Sequence, residues 1–148
     1  MENQQIFYEN IDNKIGIVVS RDYPYTTAQT ATNFGYIFTV PFPFEVFSVT
    51  EKHDVAGTVS PVLDILKVPN GVTLASGTSI LASTFDLTST ADTAVIKQGL
   101  TLSTNRTFAP FDSLALKMTG TLTTLEGVQV SIYIKPLNMG DFRNYALK

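Results

Sequence analysis

Apolar and polar residues alternate with a period of two in several separate stretches of the chain, and none repeats its apolar positions at helical spacing. From Phe34 to Val40, Phe34, Tyr36, Phe38 and Val40 fall on one face and Gly35, Ile37 and Thr39 on the other. Successive side chains of a strand point to opposite faces, so this stretch predicts a strand with one covered side. Pro41 and Pro43 interrupt it, and because each lacks an amide donor the chain must bend or run along an edge there. Phe44 to Thr50 resumes β character with an apolar register that slips between Val46 and Phe47, as at a bulge or a strand covered on both faces. Val62 to Val68 is a further strand, closed by the turn residues Pro69-Asn70-Gly71.

The clearest strand comes late. Val128, Val130, Ile132 and Ile134 alternate with Gln129, Ser131, Tyr133 and Lys135 until Pro136 stops the run. One face is core and the other is wet. Leu114, Leu116 and Met118 make a similar strand, and the segment from Gly120 to Gly127 connects the two, so they are expected to pair as a hairpin. Thr/Ser-rich segments carrying Ile80, Leu81, Phe85, Leu87, Val95, Ile96, Leu100 and Leu102 fill the middle, with turn residues about every eight to twelve positions. That spacing predicts a sandwich or barrel. The most helix expected is one turn at Ser79–Ser83, because the abundant Thr and Val lose rotamer freedom in helices and suit a pleated surface.

The predicted fold is all-β: an antiparallel β-sandwich, jelly-roll-like, over residues 34–136, with an extended N-terminal arm over 1–33 and a C-terminal tail over 137–148. In the arm only Ile15 to Val19 resembles a short strand, and a Thr/Ala/Gln stretch runs from Thr26 to Asn33. Ile6, Phe7, Tyr8, Tyr23 and Tyr25 in the arm, and Phe142 and Tyr145 in the tail, are costly to leave in water. Fraying is the ordinary fate of polar termini. Docking onto a neighbour is the alternative, and it makes these seven residues candidate assembly contacts.

Composition sharpens that expectation. A chain of 148 residues holds one domain with a real core. Charged residues are 16% of it, below the roughly 25% of ordinary soluble domains, and mean hydropathy is +0.14. Apolar burial is worth roughly 25 cal/mol per Å², so such a chain gains by packing against copies of itself or other subunits. The net charge of −3 argues against nucleic acid, whose phosphates call for clustered Lys and Arg. No stretch approaches the roughly 18 apolar residues of a membrane span. The start, Met1 to Tyr8, lacks the basic and apolar runs of a secretory signal, so synthesis in the cytoplasm is expected.

Candidate chemistry is sparse. A nucleophilic relay needs an imidazole, and the one histidine, His53, sits among Glu51, Lys52 and Asp54 just past a strand, where solvated loop histidines sit. With no cysteine a zinc site would need mostly carboxylates. Asp54, Asp64, Asp86, Asp92 and Asp112 are scattered singly, as turn and cap residues are, and match no calcium loop. Neither a catalytic residue nor a cofactor or metal site is expected.

An ordered series of motifs carries a resemblance. Val49-Thr50-Glu51-Lys52-His53 with Ala56-Gly57-Thr58 is followed by Leu63 to Lys67, then Gly77 to Leu81 leading to Phe85-Asp86-Leu87. Gly99-Leu100-Thr101, Leu114-Ala115-Leu116, Thr119-Gly120-Thr121 and Gly127 to Val130 complete it. From about Phe44 to Lys135 the chain thus resembles small phage virion proteins, the head-decoration or auxiliary capsid proteins with a β-sandwich or jelly-roll body. Where that pattern has Gly-Asp before the Leu-Ala-Leu strand, this chain has Phe111-Asp112, which leaves the turn geometry open and puts an extra aromatic at the surface. The resemblance implies a non-enzymatic structural protein of a phage virion, made in the bacterial host cytoplasm, that attaches to the major capsid protein or another virion protein. It also implies self-association, with a symmetric trimer as the suggested homo-oligomer. The alternative is a receptor- or glycan-binding β module of a tail or head fibre, in which loops between strands carry function.

Overall fold

The computed structural model describes residues 5–11, 14–23, 33–39 and 41–137, and for residues 5–34 the backbone alone. In chain order the strands are β1 (Gln5–Ile11), β2 (Lys14–Tyr23), β3 (Asn33–Thr39), β4 (Phe44–Lys52), β5 (Val59–Val68), β6 (Thr78–Ser79), β7 (Phe85–Asp86), β8 (Val95–Gln98), β9 (Thr107–Phe108), β10 (Ser113–Thr121) and β11 (Val128–Pro136). They form two antiparallel sheets. The first runs β1-β2-β11-β4-β8, with β9 also on β4, and the second runs β3-β10-β5-β6, with β7 also on β5. Pairing is nested, since β2 takes β11, β3 takes β10, β4 takes β8 and β5 takes β7. Nested pairs split between two sheets are the plan of a jelly roll, so the expected architecture is the observed one.

Period two in the sequence becomes burial in the sandwich. Val128, Val130, Ile132 and Ile134 of β11 are each 0% exposed, while Gln129, Ser131, Tyr133 and Lys135 stay at least partly wet. They meet Leu63, Ile65, Leu114, Leu116 and Met118 of the second sheet in one continuous core. At one end, the rings of Phe44 and Phe108 stack at 4.4 Å between centroids, and Phe38 tilts against Phe44 at 5.6 Å. This column ties β3 of the second sheet to β4 and β9 of the first, and removing one such ring costs about 3–5 kcal/mol.

Among the described residues the strand pairing shifts register at three places, and two of these reset the predicted alternation. The slip at Val46 and Phe47 is one of them: Ile134 lies opposite Val46 and Tyr133 opposite Ser48, leaving Phe47 extra, 41% exposed and edge-on to the Tyr133 ring at 6.0 Å. The second lies in β3, where Leu114 faces Phe38 but Ala115 faces Tyr36. Ile37 enters the core and Phe38 packs against it, while Tyr36 is turned outward and 47% exposed. Plain alternation had placed Tyr36 and Phe38 on one face; one inserted residue puts them on opposite sides.

Other expectations are corrected. β10 and β11 do not form a hairpin, since each pairs within a different sheet. Their link crosses the sandwich end, with Leu122 and Leu125 each 1% exposed in the core and Val55 bridged to Glu126. The apolar side chains of the link, hidden among its threonines, make it a plug that a surface turn could not be. Thr78–Ser79 is a strand rather than the start of a helical turn, and the short 3₁₀ turns fall at Leu74–Ser76 and Gly99–Thr101. The N-terminal segment read as irregular pairs as well. β1 lies on β2 from Gln5 opposite Ser20 to Ile11 opposite Lys14, and β2 lies on β11 from Tyr23 opposite Val128 to Ile17 opposite Ile134.

Gly120 sits where the pairing of β10 with β5 slips register, between Thr119 opposite Val62 and Thr121 opposite Val59. Its φ of +90° lies in the left-handed region, and a Cβ there would overlap the Ser60 carbonyl oxygen and stand 2.9 Å from Pro61 Cα. Both neighbours are backbone and cannot swing away. Gly120→Ala is therefore expected to lower the unfolding free energy by about 1–3 kcal/mol, read as a lower urea midpoint at unchanged slope.

Candidate functional surfaces

The sole histidine is enclosed. His53 and Glu51 are both 0% exposed, with His53 Nδ1 2.7 Å from Glu51 Oε1 and Nε2 3.1 Å from the Ser89 carbonyl oxygen. The solvated loop expected at this position is instead tied inward, because Asp92 N–H donates to the His53 carbonyl at 2.8 Å and Asp54 N–H to the Glu126 carbonyl at 3.0 Å. A carbonyl only accepts, so Nε2 carries a proton. Nδ1 then either donates to a carboxylate or accepts from a carboxylic acid, and the pair is neutral as a whole in both forms. Burial pushes the Glu51 carboxyl above its ordinary range, opposed by its bond and charge attraction to His53. An imidazole with both nitrogens engaged and no exposed surface reaches no substrate. The pair fastens the end of β4 to the loop before β8.

A cleft opens at one end of the second sheet's outer face. Ser113, at the start of β10, is paired with Thr39 of β3 on one side and Val68 of β5 on the other. The hydroxyls of Ser113 and Thr39 bond at 2.5 Å to make the floor. One wall is Tyr36. The rim is built by two turns, Pro69 to Val72 and Ala109 to Asp112. The first closes through Val72 N–H on the Pro69 carbonyl at 3.0 Å, with Gly71 at φ +82°, as the Asn-Gly pair predicted. In the second, Phe111 takes φ +68° and is 50% exposed.

Asp112 locks the two turns together. It is 5% exposed; its Oδ1 accepts from Asn70 N–H at 3.1 Å and its Oδ2 from Ala109 N–H at 2.9 Å. Lys67 Nζ lies 3.6 Å from Oδ2 and adds a favourable charge. Phe111 occupies a left-handed conformation that glycine adopts more readily, and presents the surface aromatic expected there. The cleft encloses about 340 Å³.

The first sheet ends in β1 on one side and β8 on the other. Terminal strands leave one row of backbone donors and acceptors outside the ladder. Beside β8, Ile96 is 58% exposed, and Leu100 on the following 3₁₀ turn is wholly exposed. Of the candidate assembly contacts, Ile6, Phe7 and Tyr8 lie on β1 and Tyr23 closes β2. Tyr25, Phe142 and Tyr145 lie outside the described residues. The cleft was not legible in the sequence because its residues come from three separate segments; the unusual Phe111-Asp112 was the one signal pointing to it.

No protein-family model and no curated protein matches the chain. Among solved structures, a chain of the cyanophage Pam1 capsid asymmetric unit has the same fold over 87% of this chain and 89% of its own, at 12% identity and a TM-score of 0.54. Looser matches include the infectious bursal disease virus Gx strain structure, at 10% identity and a TM-score of 0.40 over 91% of this chain and 37% of that one. The CBM22-1–GH10 modules of Clostridium thermocellum xylanase 10B match at 15% identity and a TM-score of 0.33, over 93% of this chain and 25% of that one.

The Glu51–His53 pair generates a stability prediction. Breaking a buried pair leaves one partner uncompensated, so His53→Leu alone is expected to cost about 3–5 kcal/mol of unfolding free energy. Joint replacement by Glu51→Met and His53→Leu is expected to cost less than the sum of the two single changes, because no polar group is then stranded. A double-mutant cycle in urea checks this, and additive costs would count against the coupling.

Proposed function

We propose that the chain is a structural subunit of a phage virion, a capsid auxiliary protein that attaches to the shell and associates with copies of itself. The observation that carries this reading is the jelly-roll likeness to a chain of a phage capsid asymmetric unit, which runs over nearly the full length of both chains rather than over a domain of something larger. The ordered motifs of Phe44 to Lys135 point the same way. A charge-poor composition and wholly exposed apolar side chains such as Leu100 suit a protein whose surface is covered by neighbours.

Attachment runs through the ends of the first sheet. A neighbour's strand adds to β1 by backbone hydrogen bonds, and Ile6, Phe7 and Tyr8 supply the side-chain contacts. Tyr23, Tyr25, Phe142 and Tyr145 extend the contact along the flanking segments. Closed symmetry, such as that of a trimer, uses up the edge and prevents open-ended growth. Removing residues 1–11 strips β1 but leaves β2 on β11. The truncated chain is expected to unfold cooperatively, yet to fail to join particles when co-expressed with the shell protein, as judged by its copy number in purified particles. Full incorporation of the truncated chain would overturn this route of attachment, and absence of the intact chain from particles would overturn the proposed function.

A further inference from the structure

The cleft between Tyr36 and Phe111 is more elaborate than a sheet end requires. A bulky side chain at φ +68° is held where glycine is normally found, in a conformation that its Cβ disfavours. The ring so placed is not repaid by burial, being 50% exposed. Tyr36 adds a second half-exposed ring, turned out of the core by the bulge at Ile37. The carboxylate of Asp112 fixes the turn that holds Phe111 to the turn that holds Asn70 and Val72. Strain and exposed aromatic surface maintained at one prebuilt concavity point to a ligand.

The lining states what kind. Among the described residues, none that lines the cleft is charged, which disfavours phosphates, nucleotides and ionic peptides. The lining also includes Thr39, Ser113 and Asn70, whose hydroxyls and amide both donate and accept. The volume of about 340 Å³ lies at the small end of ligand sites and has no room for a folded element. A neutral molecule with apolar faces and a rim of hydroxyls meets all three conditions. We propose that this cleft binds a neutral carbohydrate, one or two sugar rings of a glycan, with the sugar faces against Tyr36 and Phe111 and its hydroxyls on Thr39, Asn70 and Ser113. The inference is independent of the proposed virion role, since it rests on the second sheet alone.

The test uses the full chain against an array of neutral and charged oligosaccharides, followed by titration calorimetry with the best neutral binder at low and high salt. Binding of a neutral sugar that is insensitive to salt is expected, because no charge is screened. Phe111→Gly separates ligand from architecture: glycine suits the left-handed turn, so the thermal midpoint is expected to hold or rise while affinity falls by about tenfold or more. Tyr36→Ala is expected to weaken binding similarly. The proposal is overturned by an array with no neutral binder, by binding only to charged sugars, or by a Phe111→Gly variant that retains full affinity. A Phe111→Gly variant that unfolds earlier than the parent would also count against it, since the ring would then be serving the fold.

Discussion

The nested pairing of strands is the constraint from which the rest of the structure follows. In the nested pairs a strand lies about as far in from one end of the chain as its partner lies from the other, so Ile17 of β2 is opposite Ile134 of β11 while Leu63 of β5 is opposite Phe85 of β7. The two sheets cannot cover one another until the distant pairs have closed. Long-range closure of this kind is entropically slow, and it exposes unpaired edges for as long as it lasts. It also forces the chain to cross between sheets repeatedly. At the last crossing, Gly120 supplies the left-handed bend, and Leu122 and Leu125 keep the crossover from leaving a hole in the core.

Strand existence was legible in the sequence because burial on one face of a sheet writes itself as period two. β4, β5, β10 and β11 all lie where alternation predicted them, and the slip at Phe47 is a true bulge. Partnership was less legible. Alternation tells which residues face inward but nothing about which strand lies alongside, so β10 and β11 were expected to pair simply because they are neighbours in the chain. The jelly-roll plan forbids that pairing, and the two expectations were in tension from the start. β1 was missed, and β2 was read only at Ile15 to Val19, because polar residues such as Asn10, Ser20 and Asp22 lie on the strands themselves. Their strand character comes from pairing, β2 with β11 and β1 with β2, and the first of these is a tertiary effect that overrides local propensity.

Polar chemistry was hardest to read, and His53 shows why. Its charged neighbours in sequence suggested solvent, but charge in the sequence reports only composition. What decides burial is whether a partner is at hand, and Glu51, two residues earlier on the same face of the strand, provides one. Two residues along a strand return to the same side, so Glu51 and His53 both turn inward with the register of Val49. Enclosure then removes the imidazole from any role at the surface.

The candidate surfaces are divided between the sheets, and the division has a consequence for how assembly and ligand binding combine. The terminal strands of the first sheet, β1 and β8, lie away from the cleft, which is built on β3, β10 and β5 of the second sheet. A neighbour's strand added to β1 therefore lengthens the first sheet without covering Tyr36 or Phe111. A strand added instead to β3, the terminal strand of the second sheet, runs directly beside Tyr36 and narrows the cleft from its open side. Proline follows β3 closely, at Pro41 and Pro43, and shortens the stretch on which such an addition can register. The same prolines that ended the strand in the sequence thus leave the edge beside the cleft a poor template for strand addition, so the proposed attachment through β1 is compatible with an open cleft.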